Sequence, residues 1–326
     1  MGHTAQPLIA ESQLPGPMAR PHYPGLNWAR VVAVLLVTSQ HALSVGGRIE
    51  WTSFGEFGLG RTGVALFLAI SGLMAGADWR EPWPWLKQRL TRIYPAYWIA
   101  ISFGFLLNWL VAYKPATLPQ FVWQMFGLGV FTHRDQLVNV ASWFVSFVVL
   151  LYGLAFLCRI SQKPVLTAAC LLILALVLSL RYDPTMASHA ANFFTAFMIG
   201  ATAMETRTRF HLFAGATLVA AGLGFLVPQL WVTAAGLGLT GGALLVNSSS
   251  SLVDWLARYS YEFYLVHGIF LVGAAKYVSL PYGTGVILGI LGALMGAVAL
   301  NTFVAYIQGL MRGCEKVSPP APLHSP

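Results

Sequence analysis

Stretches of about 20 mostly apolar residues recur along this chain, and a helix of about that length is what a bilayer's hydrocarbon core requires. Ten are legible: Leu26–Val45, Phe57–Ala77, Tyr94–Tyr113, Val138–Cys158, Pro164–Leu180, Ala191–Met204, Phe210–Val227, Leu230–Val246, Leu256–Ala275 and Gly283–Leu310. In lipid the backbone must satisfy its own hydrogen bonds, and an α-helix does so within one segment. The pattern therefore predicts an all-α polytopic membrane protein with about ten transmembrane helices. Composition supports this. Only 9% of the residues are charged and 57% are apolar, whereas a soluble domain carries roughly 25% charged residues. The stretch Leu118–Phe131 is apolar but short, and suits a re-entrant or interfacial segment or part of an eleventh span. No repeat of 20–50 residues is visible, so an inverted-repeat transporter has no support.

Lys and Arg asymmetry sets the orientation. The strongest basic cluster, Arg80, Lys87, Arg89 and Arg92, falls between the second and third spans. Placing it inside makes both termini cytoplasmic. Residues 1–25 then read as a flexible cytoplasmic N-terminal tail, 26–311 as one membrane domain and 312–326 as a cytoplasmic C-terminal tail. The segment Pro82–Tyr94 sets tryptophans beside a short basic helix, which suits the membrane–water interface. The formal charge of +8 is not a nucleic-acid signature here, because the basic residues are scattered between apolar runs rather than gathered in a stripe with aromatics. They suit topology signals and contacts with anionic membrane lipid. The cysteines Cys158, Cys170 and Cys314 have no metal-ligand spacing, so no metal or resident cofactor is expected.

Ionisable residues inside apolar spans are costly and mark functional sites by default. Arg30 and His41 lie in the first run. Eleven residues at about 100° each close three turns plus about 20°, so the two share a helix face, about 16 Å apart along the axis. One face thus carries a fixed cation near the cytoplasmic mouth and an imidazole deeper in. Imidazole suits general-base work because its ordinary pKa is near neutrality. The alternative is a topology-signal arginine and a histidine bonded to a neighbouring helix. Arg89 and Arg92 stand at i, i+3 and emerge on one face. They suit either phosphate binding through paired guanidiniums or lipid headgroup contact. Late in the chain Ser260, Tyr264 and His267 fall at i, i+4, i+7 and form a polar stripe. His41 and His267 are candidates to line one cavity. Glu262 points elsewhere, with no partner that sequence names. Signatures of metalloproteases, hydrolase-fold enzymes and P-loop NTPases do not occur.

Together these residues resemble the acyltransferase-3 family of bacterial membrane O-acyltransferases, in its standalone form without an extra soluble domain. The family carries a basic residue, ten residues and a histidine in its first span, as do Arg30 and His41. Gly63-Val-Ala-Leu-Phe-Leu-Ala-Ile-Ser-Gly72 is similar to its second-span motif, and Arg89-Leu-Thr-Arg-Ile-Tyr-Pro95 to its arginine pair followed by Ile-Tyr-Pro. Trp143 to Tyr152, the set Phe194, Phe197 and Gly200, and Ser260-Tyr-Glu-Phe-Tyr-Leu-Val-His267 resemble later motifs in the same order. Many members carry an aspartate where Ala65 stands and glutamates where Val148 and Val149 stand. The resemblance implies transfer of an acyl group, often acetyl, from cytoplasmic acyl-CoA as co-substrate. The implied acceptor is a hydroxyl of a cell-surface or secreted glycan, or of another hydroxyl-bearing molecule. His41 would act as base. Arg30, Arg89 and Arg92 would bind the donor's anionic part, and Tyr94, Ser260, Tyr264 and His267 would contact substrate. The implied location is the bacterial inner membrane, with polysaccharide-biosynthesis proteins as partners. The competing classes are a carrier or flippase for a lipid-linked glycan and a non-catalytic scaffold of a polysaccharide export machine. Both leave the Arg30–His41 register without a purpose or lack the repeats and intramembrane acids a carrier uses.

Overall fold

The computed structural model describes residues 23–54, 57–76, 81–112, 114–129, 137–139, 141–161, 184–203, 209–278 and 281–315. The span expected at Pro164–Leu180 and the two tails, 1–22 and 316–326, lie outside the described residues. The architecture is all-α. Its helices are α1 (Pro24–Val45), α2 (Leu59–Gly76), α3 (Pro82–Val111), α4 (Leu118–Met125), α5 (Ser142–Ile160), α6 (Pro184–Ala203), α7 (Arg209–Gly224), α8 (Leu230–Leu244), α9 (Ser251–Arg258), α10 (Ser260–Tyr277) and α11 (Tyr282–Glu315). A two-residue antiparallel hairpin, Ser53–Phe54 with Phe57–Gly58, joins α1 to α2.

Four helices are long and apolar enough to cross a membrane: Pro24–Val45, Pro82–Val111, Ser142–Ile160 and Tyr282–Met311. Several others are apolar but shorter, including Leu59–Ala75 and Leu230–Leu244. Large apolar side chains stand on the outer surface, such as Leu218, Val219, Met295 and Tyr306. In a bilayer these are lipid contacts; in water they would be a large unfavourable patch.

The centre is α2. Its Ala65, Leu66, Leu68, Ala69 and Leu73 have no exposed surface, because α1, α6 and α8 surround it. Small residues allow these backbones to approach. A Cβ on Gly72 would sit 2.0 Å from the Phe197 carbonyl oxygen, and one on Gly200 would sit 2.2 Å from that of Ala69. The crossing of α2 and α6 is thus fixed by a reciprocal glycine pair. Without hydrophobic driving force between helices in lipid, such close packing carries the association. Ala65 faces Gly236 so closely that a Cβ there would lie 2.8 Å from the Ala65 Cβ. The crossing leaves no room for a carboxylate.

Two expected boundaries differ. Pro82–Tyr94 is not a separate interfacial helix but the first part of α3, which runs unbroken for 30 residues. Trp85 and Arg89 in this part are buried, so it packs on protein. The run Leu256–Ala275 is instead split at Tyr259 into α9 and α10. Ser250 caps α9 by accepting from the Val253 N–H, and Asp254 sits in its first turn, both favourable at a helix N-terminus.

The segment Leu118–Met125 forms the short helix α4, capped by Thr117 and Gln120. It runs alongside α3, with the Phe121 and Phe105 rings edge to face at 4.8 Å. Its last carbonyls are taken by three α3 side chains. The Tyr97 hydroxyl donates to the Gln124 oxygen, the Trp98 Nε1–H to Met125 (2.9 Å) and the Tyr94 hydroxyl to Phe126 (3.0 Å). Gly127, at φ +71°, then turns the chain. Phe105 and Tyr94 are about 16 Å apart along α3, so α4 runs back along α3 with its free carbonyls satisfied by protein.

Candidate active site

Two cavities flank a pair of histidines. The inner one, of about 110 Å³, lies among α1, α2, α3, α5 and α10. Arg30, Arg89, Arg92, Ser260 and Tyr264 all line it. Arg30 is held by Asn27, whose Oδ1 accepts from Nη1 at 2.9 Å. Asn27 in turn donates to Asp254 at 2.7 Å, and Ser249 donates to the same carboxylate oxygen at 2.6 Å. The N-terminal turn of α9 thereby positions the arginine of α1. Arg89 is buried and donates to the Met74 carbonyl oxygen in the last turn of α2. Its guanidinium lies 5.9 Å from the Trp85 ring and 6.0 Å from the Tyr152 ring. Arg92 is exposed. No carboxylate occurs among the described lining residues, and Val148 stands in the wall. Three guanidiniums around an acid-free cleft make an anion site.

The outer cavity, of about 320 Å³, lies among α1, α3 and α10, with His41 in its wall. Between the two cavities runs a column of rings. Tyr264, in the inner wall, lies 5.4 Å from the His267 ring, and His267 lies 5.1 Å from His41, with planes inclined at 54°. Phe263 stacks nearly parallel on His267, at 6.1 Å and 8°. The His267 Nδ1 is 2.6 Å from the Tyr264 carbonyl oxygen. A carbonyl only accepts, so Nδ1 carries the proton and the neutral ring keeps its lone pair on Nε2. That Nε2 is buried and has no hydrogen-bond partner among the described residues. The arrangement presents an oriented imidazole nitrogen beside a second imidazole, between an anion site and a separate chamber.

The structure brings seven of the eight residues expected from sequence into this assembly: Arg30, Arg89, Arg92, Ser260 and Tyr264 around the inner cavity, and His41 and His267 at its outer end. Tyr94 stands apart, with its hydroxyl on Phe126. Two residues after Arg92 is about 200° of helix rotation, so the two side chains leave α3 on opposite sides. Glu262 has a partner that sequence did not name: Asn301 of α11 donates to its Oε1 at 2.9 Å. One arginine was overlooked. Arg159, at the end of α5, donates to the Ala75 carbonyl oxygen at 2.9 Å and lies 3.9 Å from the Trp85 ring. With Arg89 it places positive charge on the C-terminal carbonyls of α2, where the helix dipole is negative.

A family model for an acyltransferase domain, that of the acyltransferase-3 family, matches residues 23–306. Searches of curated proteins and of solved structures returned no match. The match takes in every element that builds the two cavities and the histidine pair. The chain therefore belongs to the acyltransferase-3 family and is an enzyme, a membrane acyltransferase.

Proposed function

We propose that the chain moves an acyl group from cytoplasmic acyl-CoA to a hydroxyl that enters from the other face, with the reaction at the histidine pair. The observation that carries this reading is the opposition of the two cavities. One is lined by three arginines and the other mostly by aliphatic side chains, and the rings of Tyr264, His267 and His41 run from the wall of the first to the wall of the second. Arg30, Arg89 and Arg92 hold the donor's phosphates, and the thin pantetheine arm carries the thioester past Ser260 and Tyr264 toward the histidines. His41 accepts the proton of the acceptor hydroxyl as the oxygen bonds to the thioester carbonyl carbon. The C–S bond then breaks, and the leaving thiolate takes the proton from the imidazolium. His267, fixed by the Tyr264 carbonyl, holds the neighbouring imidazole's surroundings and contacts substrate.

The finer expectations fit the same picture. Ten spans would put both termini in the cytoplasm of a bacterium's inner membrane, with residues 26–311 as the membrane domain between two tails. The family resemblance implies acetyl as the acyl group and a glycan hydroxyl as the acceptor, and partners from polysaccharide biosynthesis. The test is a binding comparison on protein in nanodiscs between acetyl-CoA and acetyl-pantetheine, which lacks the nucleotide phosphates. Acetyl-CoA should bind at least tenfold more tightly, and Arg92→Ala should narrow the gap. Equal binding of the two donors would contradict the role of the arginines.

A further inference from the structure

The outer cavity has a chemistry of its own. Aliphatic side chains make most of its wall, among them Val45, Leu107, Val111, Val138, Ile269 and Val272. Among the described residues, its polar side chains are His41, Asn108 and Asn139. Both amides are already engaged with backbone. Asn108 donates to the Lys114 oxygen and accepts from the Lys114 N–H, each at 2.9 Å, closing the outer end of α3. Asn139 donates to the Leu265 oxygen at 2.8 Å and accepts from the Ala141 N–H at 3.0 Å, tying the start of α5 to α10. A guest therefore meets mostly aliphatic surface, one imidazole and two amides that each have only part of their hydrogen-bonding capacity left.

That matters for what a hydroxyl acceptor can be. A sugar ring carries hydroxyls on most of its edges, and each one buried without a partner is penalised. A molecule with one hydroxyl on an apolar body leaves no polar group unmatched, and its burial against aliphatic walls is favourable. The floor also contains room. A Cβ added at Gly268 or at Gly273 would meet no atom within 4 Å, although both residues line the cavity. These glycines of α10 face open space rather than a packed neighbour.

We propose that the acceptor is an alcohol with a largely apolar body, of the isoprenoid or long-chain type, seated in the outer cavity with its hydroxyl at His41. This rests on the acyl-transfer reading above and names its second substrate. The acceptor class differs from the bare glycan that the family resemblance implies.

The test uses the full chain in nanodiscs with acetyl-CoA. Farnesol and dodecanol are compared with glucose and maltose, following free thiol and ester mass. The apolar alcohols should give ester with kcat/KM at least tenfold above either sugar. Gly268→Leu should fill the cavity without a packing clash. It should raise the KM for farnesol at least tenfold, weaken binding of tritiated farnesol to match, and leave acetyl-CoA binding unchanged. Preferred acylation of the sugars would overturn the inference while leaving the acyl-transfer reading intact. So would absence of farnesol binding, or a Gly268→Leu variant that changes acyl-chain preference instead of alcohol KM. Failure to bind acetyl-CoA at all would count against the acyl-transfer reading itself, and the inference would fall with it.

Discussion

The imidazoles of His41 in α1 and His267 in α10 lie with ring centroids 5.1 Å apart. One helix opens the described fold and the other is nearly its last, so the pair exists only once the bundle has closed. It stands where the arginine-lined cavity ends and the aliphatic one begins.

The arginines at and beside the inner cavity should not behave alike. Arg92 is exposed and lines the cavity, so Arg92→Ala should weaken donor binding with little change in thermal stability. Loss of a hydrogen bond to a charged group costs about 1.5–3 kcal/mol, or roughly ten- to hundredfold in affinity. Arg89→Ala should lose donor affinity and stability together, because its guanidinium also holds the Met74 carbonyl. Arg159→Ala should lower the melting temperature and leave donor KM near normal, since that side chain caps α2 outside the cavity wall. Isothermal binding and fluorescence-detected melting on the three variants separate these outcomes.

The glycine crossing of α2 and α6 makes a sharper stability prediction. Gly200→Ala drives a methyl group against the Ala69 carbonyl, a backbone atom that cannot rotate away. The cost should be about 3 kcal/mol, the upper end of the overpacking range. Gly153→Ala in α5 is the control: its Cβ meets nothing within 4 Å, and alanine favours helix over glycine. Size-exclusion profiles after stepwise heating should show early loss of the first variant and no loss of the second.

The apolar runs announced most helices, because membrane length and backbone satisfaction leave few other solutions. The 3.6-residue period also put Arg30 and His41 on one face of α1. What no single helix encodes is its neighbour. The sequence offers His267 as a companion of His41 only as a candidate, and nothing around Glu262 names Asn301. Those pairings arise from small-residue crossings such as Gly72 on Phe197, where the contact is with a backbone atom and leaves little trace in side-chain pattern. Two misses were readable. Tyr94 is two residues from Arg92 and so had to face away from it. The Ser250 cap with Asp254 four residues on signalled a helix start before the apolar run beginning at Leu256. Arg159 was harder, since a basic residue at a helix end looks the same whether it marks topology or caps a neighbouring helix.

The end of α4 depends on side-chain caps from α3. Tyr97→Phe removes the hydroxyl from a buried carbonyl of Gln124, which keeps the Gly127 N–H as a second partner. A loss of about 1 kcal/mol is expected. Hydrogen exchange at residues 124–129 should rise in this variant while exchange in α2 stays unchanged.

Topology has a direct check. A cysteine at Lys87 should react with a membrane-impermeant reagent from the cytoplasmic side, and one at Trp51 from the opposite side. Labelling of both from one side would contradict the proposed orientation.

The central claim is that an imidazole at the junction of the two cavities takes the acceptor's proton. His41→Gln keeps a hydrogen-bonding side chain of similar reach but cannot accept a proton at neutral pH. In nanodiscs with radiolabelled acetyl-CoA and an alcohol acceptor, this variant should bind donor as the parent does. It should transfer acyl groups about 10²–10⁴-fold more slowly, the usual worth of general-base assistance. Transfer at the parent rate by His41→Gln would contradict the assignment and pass the role to the Nε2 of His267.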